Sequence, residues 1–136
     1  MAEWIFKHIA EENGRGSDFK ISSAAVSYEE IGNDIYPPAK KILTENGIPF
    51  KKHRAHRITL DEILDSDYVV VMDSSNRYLI SNLITKEASD PKQIAQAEAK
   101  VHMLLSRDVA DPWYTDNFQK AYDDIYEGCS ALLKKL

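Results

Sequence analysis

Disulfides are the first thing this sequence cannot use. Its 136 residues hold one cysteine, Cys129, so no internal bridge can form, and a reducing cytoplasm is the expected setting. No apolar run approaches the roughly 18 residues of a membrane helix, so no membrane partner is expected. The opening "MAEWIFKHIA" carries Glu3 and spaces its apolar residues like a helix face, unlike a secretion signal. A basic excess is missing too: 17 Lys and Arg stand against 22 Asp and Glu, a net charge of −5, which argues against a nucleic-acid partner. His8, His53, His56 and His102 are scattered, and no Cys or acid completes a ligand set beside the one close pair. Neither a metal nor another cofactor is therefore expected. Repeats and low-complexity linkers are absent. What remains is an ordinary globular balance, 43% hydrophobic and 29% charged, in one domain spanning residues 1–136.

The hydrophobic pattern predicts alternating elements. Residues 2–13 read as a helix with Trp4, Ile5, His8 and Ile9 on one stripe, closed by Gly14. "FKISSAAVS" (19–27) reads as a strand and 28–38 as a loop. Pro38 opens a helix that Asn46-Gly47 ends. Thr59 with Glu62 forms a capping box for a short helix to about Leu64. "DYVVVMD" (67–73) is apolar without alternation, as suits a parallel strand buried on both faces. A helix over 74–84 capped by Ser74 or Ser75, a helical turn from Pro91, and a strand over 101–106 follow. A final helix over 116–135 carries Phe118, Tyr122, Ile125, Cys129, Leu132 and Leu136 on one face. Such alternation predicts an α/β fold with a parallel sheet. Yet the chain opens on a helix and offers three strands for six helical segments, as though a first, central strand were missing.

"DVADPWYTDNF" (108–118) sharpens the question. Asp-Pro starts turns, and Asp116 or a neighbour can cap the next helix. A carboxyl beside two aromatics can equally serve as a general acid over a flat substrate.

Several segments together carry a resemblance. "SSAAVSYEEIGNDIYPPA", "NGIPFKKHRAHRIT", "DYVVVMDSSNRYLI" and "DPWYTDNFQKAYDDIYEGCSALL" stand in the order found in the low-molecular-weight protein tyrosine phosphatases, and "MAEWIFKHI" resembles that family's first helix. The resemblance implies a three-layer, doubly wound α/β fold with a four-stranded parallel sheet. It also implies hydrolysis of phosphomonoesters through a phosphocysteine, on a phosphotyrosine protein or a small phosphoester, with no cofactor. By this likeness Asp111 is the general acid, Trp113, Tyr114, Glu29 and Ile31 shape the substrate cleft, and Ser23 and His53 support the phosphate loop by hydrogen bonds. Asp73 falls where a helix cap is expected, and His56 stands where the family usually has Arg.

The family's nucleophile belongs to a Cys-x5-Arg loop that precedes its first helix. Residues 1–136 contain no such loop: Cys129 is followed by "SALLKKL", without the required Arg, and sits in a helical stripe. A single cysteine also excludes an arsenate reductase of this fold, which needs further redox cysteines. The expectation is therefore an N-terminally shortened chain, inactive as given, whether from a start assigned at an internal Met, a shortened polypeptide or a natural form. The alternative is a non-catalytic binding or assembly module. A homodimer closing over the slot of the missing strand is the expected assembly.

Overall fold

The structure, a computed structural model, describes residues 1–26, 35–52, 55–109 and 117–136. In chain order the elements are α1 (Ala2–Glu12), α2 (Pro37–Glu45), α3 (Leu60–Asp65), β1 (Val69–Val71), α4 (Ser74–Glu87), α5 (Pro91–Glu98), β2 (Val101–Met103) and α6 (Phe118–Lys135). By contacts the chain divides into two compact units. One comprises Met1–Ser23, Gly32–Ala55 and Val109–Leu136, the other Ala24–Ile31 and His56–Asp108.

The first unit is helical, with α6 packed on α1 and α2. On α1 the buried residues are Ile5, Phe6, Ile9 and Ala10. Trp4 and His8, expected on that stripe, are only half-buried, and the Lys7 ammonium lies 4.5 Å from the centre of the Trp4 ring. Gly14 follows α1 at φ 70°, a left-handed conformation that glycine adopts without a Cβ clash. Pro37 and Pro38 both lie in the first turn of α2, where a helix needs no N–H donor. The buried face of α6 runs through Phe118, Tyr122, Ile125, Cys129 and Leu133. Leu133 replaces the expected Leu132 and Leu136, because the stripe advances by four from Ile125 through Cys129.

The second unit holds the sheet. Leu60, Ile63, Val71, Ile80, Leu83, Ile84, Ala97 and Val101 form its core. β1 and β2 pair in parallel, Val69 opposite Val101 and Val71 opposite Met103. Among the described residues this sheet has two strands. The strand expected over 19–27 does not form as such. Its described part makes one isolated parallel bridge, Ala25 with Arg57, through Ala25 N–H to His56 O (2.7 Å) and Ile58 N–H to Ala25 O (2.8 Å). Apolar patterning makes a segment extended, but a strand needs a ladder, and here the ladder is one rung long. The register leaves β1 one open edge. Val69 N–H and Val71 C=O bond towards β2, which turns the N–H and C=O of Val70 the other way. No described residue pairs with them there.

At α3, α4 and α5 the helix starts are set by side chains. Thr59 Oγ1 accepts from Glu62 N–H at 3.2 Å, the expected cap. α4 is capped by Asp73, whose Oδ1 accepts from Asn76 N–H at 2.7 Å, and not by Ser74 or Ser75. Asp90 caps α5 through Gln93 N–H (2.8 Å), and the predicted turn after Pro91 grows into a helix of 8 residues.

Candidate active site

Of the residues expected to do chemistry, the described part of the chain contains Ser23. Asp111, Trp113, Tyr114, Glu29, Ile31 and His53 lie outside the described residues. What can be built is the frame around them.

Ser23 stands at the end of the first unit's extended segment. Its hydroxyl donates to Glu3 Oε1 at 2.7 Å, tying that segment to the first turn of α1. The other carboxylate oxygen of Glu3 accepts from Lys7 Nζ at 2.6 Å, one helical turn on. With its one proton committed, Ser23 Oγ keeps its lone pairs to accept from a neighbouring N–H. At the start of α1, Met1 offers no side-chain cap, so first-turn N–H groups point out of the helix end, with a positive partial charge. Glu3 sits beside them and offsets part of that field. Sequence reading missed this role for Glu3. The Glu3/Lys7 spacing of four shows a helix pair, but nothing in the spacing links Glu3 to Ser23.

Asp108 and Asn117, the described residues nearest the Asp-Pro segment in sequence that make side-chain bonds, each serve a helix start. On the segment's N-terminal side, Asp108 Oδ1 accepts from both Ser74 N–H (2.9 Å) and Ser74 Oγ (2.8 Å). One carboxylate oxygen thus fixes the chain after β2 to the start of α4. On its C-terminal side, Asn117 caps α6 by accepting from Lys120 N–H at 3.0 Å. Ser74 therefore serves Asp108, while Asp73 serves the helix. The role of Asp108 was also missed, since its partner lies 34 residues away in sequence.

Cys129 is the thiol available to the described residues, and it is built for packing. It is buried, with Sγ 4.0 Å from Ala2 O. Burial pushes its pKa up to about 12, with the terminal ammonium acting weakly the other way. Such a group is a thiol at neutral pH and a poor nucleophile. His56, which replaces the expected Arg, places Nε2 2.9 Å from Glu62 Oε2 on the surface of the second unit. No three His, Cys, Asp or Glu side chains among the described residues stand together to hold a metal. None of the described helices is long and apolar enough to cross a membrane.

Comparison with known proteins places this frame. The family model described as low molecular weight phosphotyrosine protein phosphatase matches residues 1–136. The low molecular weight protein-tyrosine-phosphatase YfkJ of Bacillus subtilis is 30% identical over 137 residues, covering 100% of this chain and 86% of the relative. The human low molecular weight phosphotyrosine protein phosphatase is 29% identical over 143 residues, covering 99% and 85%. The crystal structure of YfkJ superposes with a TM-score of 0.85 at 28% identity, over 98% of this chain and 83% of that one. The capped helices, the parallel pair and the full-length match agree, and the chain belongs to the low molecular weight phosphotyrosine protein phosphatase family.

Proposed function

We propose that residues 1–136 are one domain carrying the acid, cleft and support residues of a phosphotyrosine phosphatase, and that the nucleophile must come from outside them. Hydrolysis then belongs to a polypeptide that joins this domain to a Cys-x5-Arg loop. There the thiolate attacks phosphorus, loop N–H groups and the start of α1 hold the phosphate oxygens, and Asp111 protonates the leaving phenolate before activating water. Trp113, Tyr114, Glu29 and Ile31 wall the cleft in this reading, and Ser23 and His53 hold the loop. The substrate is a phosphotyrosine protein or a small phosphoester, no cofactor takes part, and the setting is the cytoplasm.

Residues 1–136 alone are then catalytically silent. The observation that carries this is the state of Cys129, buried with its pKa at about 12. Incubating the 136-residue chain with p-nitrophenyl phosphate tests it, and turnover no faster than buffer is expected. Robust hydrolysis that survives Cys129→Ser would refute the need for an outside nucleophile. Hydrolysis abolished by that substitution would refute the inert thiol.

The open edge of β1 favours a second reading, a non-catalytic assembly module that pairs as a homodimer. An apolar strand with unpaired N–H and C=O groups is a template for another strand. Light scattering at micromolar concentration separates the two: a monomer of 15.5 kDa that unfolds cooperatively ends the dimer proposal.

A further inference from the structure

α1 and α2 end in the same way. Asn13 closes the first at φ −95° and ψ 10°, and Asn46 closes the second at φ −99° and ψ 9°. A left-handed glycine follows each, Gly14 at φ 70° and Gly47 at φ 69°. The next amide reaches back into the last turn, Arg15 N–H to Ala10 O at 2.8 Å and Ile48 N–H to Leu43 O at 2.9 Å, the long bond of a Schellman end. The asparagine side chains complete the match. Asn13 Nδ2 donates to Ile9 O and Asn46 Nδ2 to Ile42 O, each at 2.8 Å.

An Asn-Gly pair is also chemically labile, because glycine has no Cβ to shield its nitrogen. That nitrogen, its proton passed to base, bonds to Asn Cγ. The side-chain nitrogen takes up a proton and leaves as ammonia. Water then opens the resulting succinimide at either carbonyl, leaving aspartate or isoaspartate. Solvent supplies the water, and both turns are exposed. The caps oppose ring closure in three ways. At these ψ angles the glycine nitrogen points away from the asparagine side chain, so closure needs a rotation about the Asn Cα–C bond. The glycine N–H is already donated, from Gly14 to Glu11 O (3.0 Å) and from Gly47 to Thr44 O (3.1 Å). The departing Nδ2 is itself bonded to the helix.

The two locks differ in strength. Past Gly14, the Arg15 guanidinium donates to Leu133 O at the end of α6 (3.1 Å) and to Asp18 Oδ2 (3.2 Å). α1 buries Ile5, Phe6, Ile9 and Ala10, whereas α2 buries Ala39 and Leu43, with Ile48 buried after its cap. Opening the end of α2 therefore disturbs less buried surface. We propose that Asn46 is a site of spontaneous conversion to aspartate and isoaspartate, timed by opening of the α2 cap, and that Asn13 is its slower twin. A carboxylate at 46 cannot donate to Ile42 O, and it adds negative charge at the negative end of a helix. The converted end of α2 is thus left frayed.

The test is peptide mapping by mass spectrometry of the 136-residue chain aged in mildly alkaline buffer, native and in urea. It reads at each site the mass gained when NH2 is exchanged for OH. In urea the two sites should convert at similar rates. In the native chain both should slow by at least about tenfold, with Asn46 at least about threefold ahead of Asn13. Arg15→Ala should speed Asn13 while circular dichroism stays helical. Asn46→Asp should quicken amide exchange over residues 42–48. Native conversion at Asn46 as fast as in urea overturns the proposal, as does Asn13 converting first, or Asn46 staying intact after the urea-treated chain has fully converted. An Asn13 rate unmoved by Arg15→Ala overturns the ranking of the two locks.

Discussion

Cys129 Sγ lies 4.0 Å from the carbonyl oxygen of Ala2, residues at opposite ends of the chain joined where α6 packs on α1. The contact makes the thiol a reporter of that packing. Ellman's reagent should label the native chain at least about a hundredfold more slowly than the denatured chain, because a buried, protonated thiol reacts only through opening. Equal rates would mean that α6 does not cover it.

The same burial predicts a pH effect. Folding raises the Cys129 pKa from an ordinary 9.0 to about 12. The unfolded chain therefore loses this proton at lower pH than the folded one. The contribution is fully present below about 9 and is lost as pH rises through about 12. Urea midpoints measured across that window should fall more steeply for the parent chain than for Cys129→Ala, and parallel profiles would contradict the assignment.

Asp73→Ala should destabilise the chain by about 1 kcal/mol, the usual cost of losing a helix N-cap. Asp73→Ser should recover most of it, since a hydroxyl can also accept from Asn76 N–H. Ser74→Ala should leave α4 capped and loosen the Asp108 anchor, so amide exchange should quicken after β2 and not within α4.

Ile84→Ala removes a fully buried side chain from the second unit's core. It should cost about 2–5 kcal/mol, as cavity-forming substitutions do. Denaturant titration measures it, and a loss below about 1 kcal/mol would mean that this core relaxes around the gap.

Val70→Pro tests the dimer directly. The Val70 N–H faces away from β2, so proline removes no bond of the β1–β2 ladder. It does deny a donor to any strand added at the open edge. A dimer built there should dissociate while the helical signal persists. A dimer that survives must use another surface.

Legibility in the sequence followed the range of the forces involved. Local chemistry was readable: the Thr59 cap, the prolines opening α2, Gly14 after α1 and the Cys129 stripe on α6 each depend on neighbours within about a turn. Pairings at long range were not. Ser23 with Glu3 and Ser74 with Asp108 join residues 20 and 34 apart, and no periodicity encodes them. The described part of the segment expected as a strand, residues 19–26, makes a single bridge for the same reason, since its apolar residues could not announce a one-rung ladder. Asp73 shows the intermediate case. Ser74 and Ser75 are equally good caps by type, and the family resemblance, which put a capping role at Asp73, was the better guide.

The division into two units has an optical consequence. The second unit, Ala24–Ile31 with His56–Asp108, contains no tryptophan, whereas Trp4 lies in α1 of the first. Tryptophan emission is thus blind to the half of the chain that holds the sheet, while helical dichroism sees α3, α4 and α5 as well. If the two signals lose amplitude at the same denaturant concentration, the units melt as one cooperative body. If emission changes first, the helical unit can come apart while the core around Ile63, Ile80 and Ile84 stays assembled.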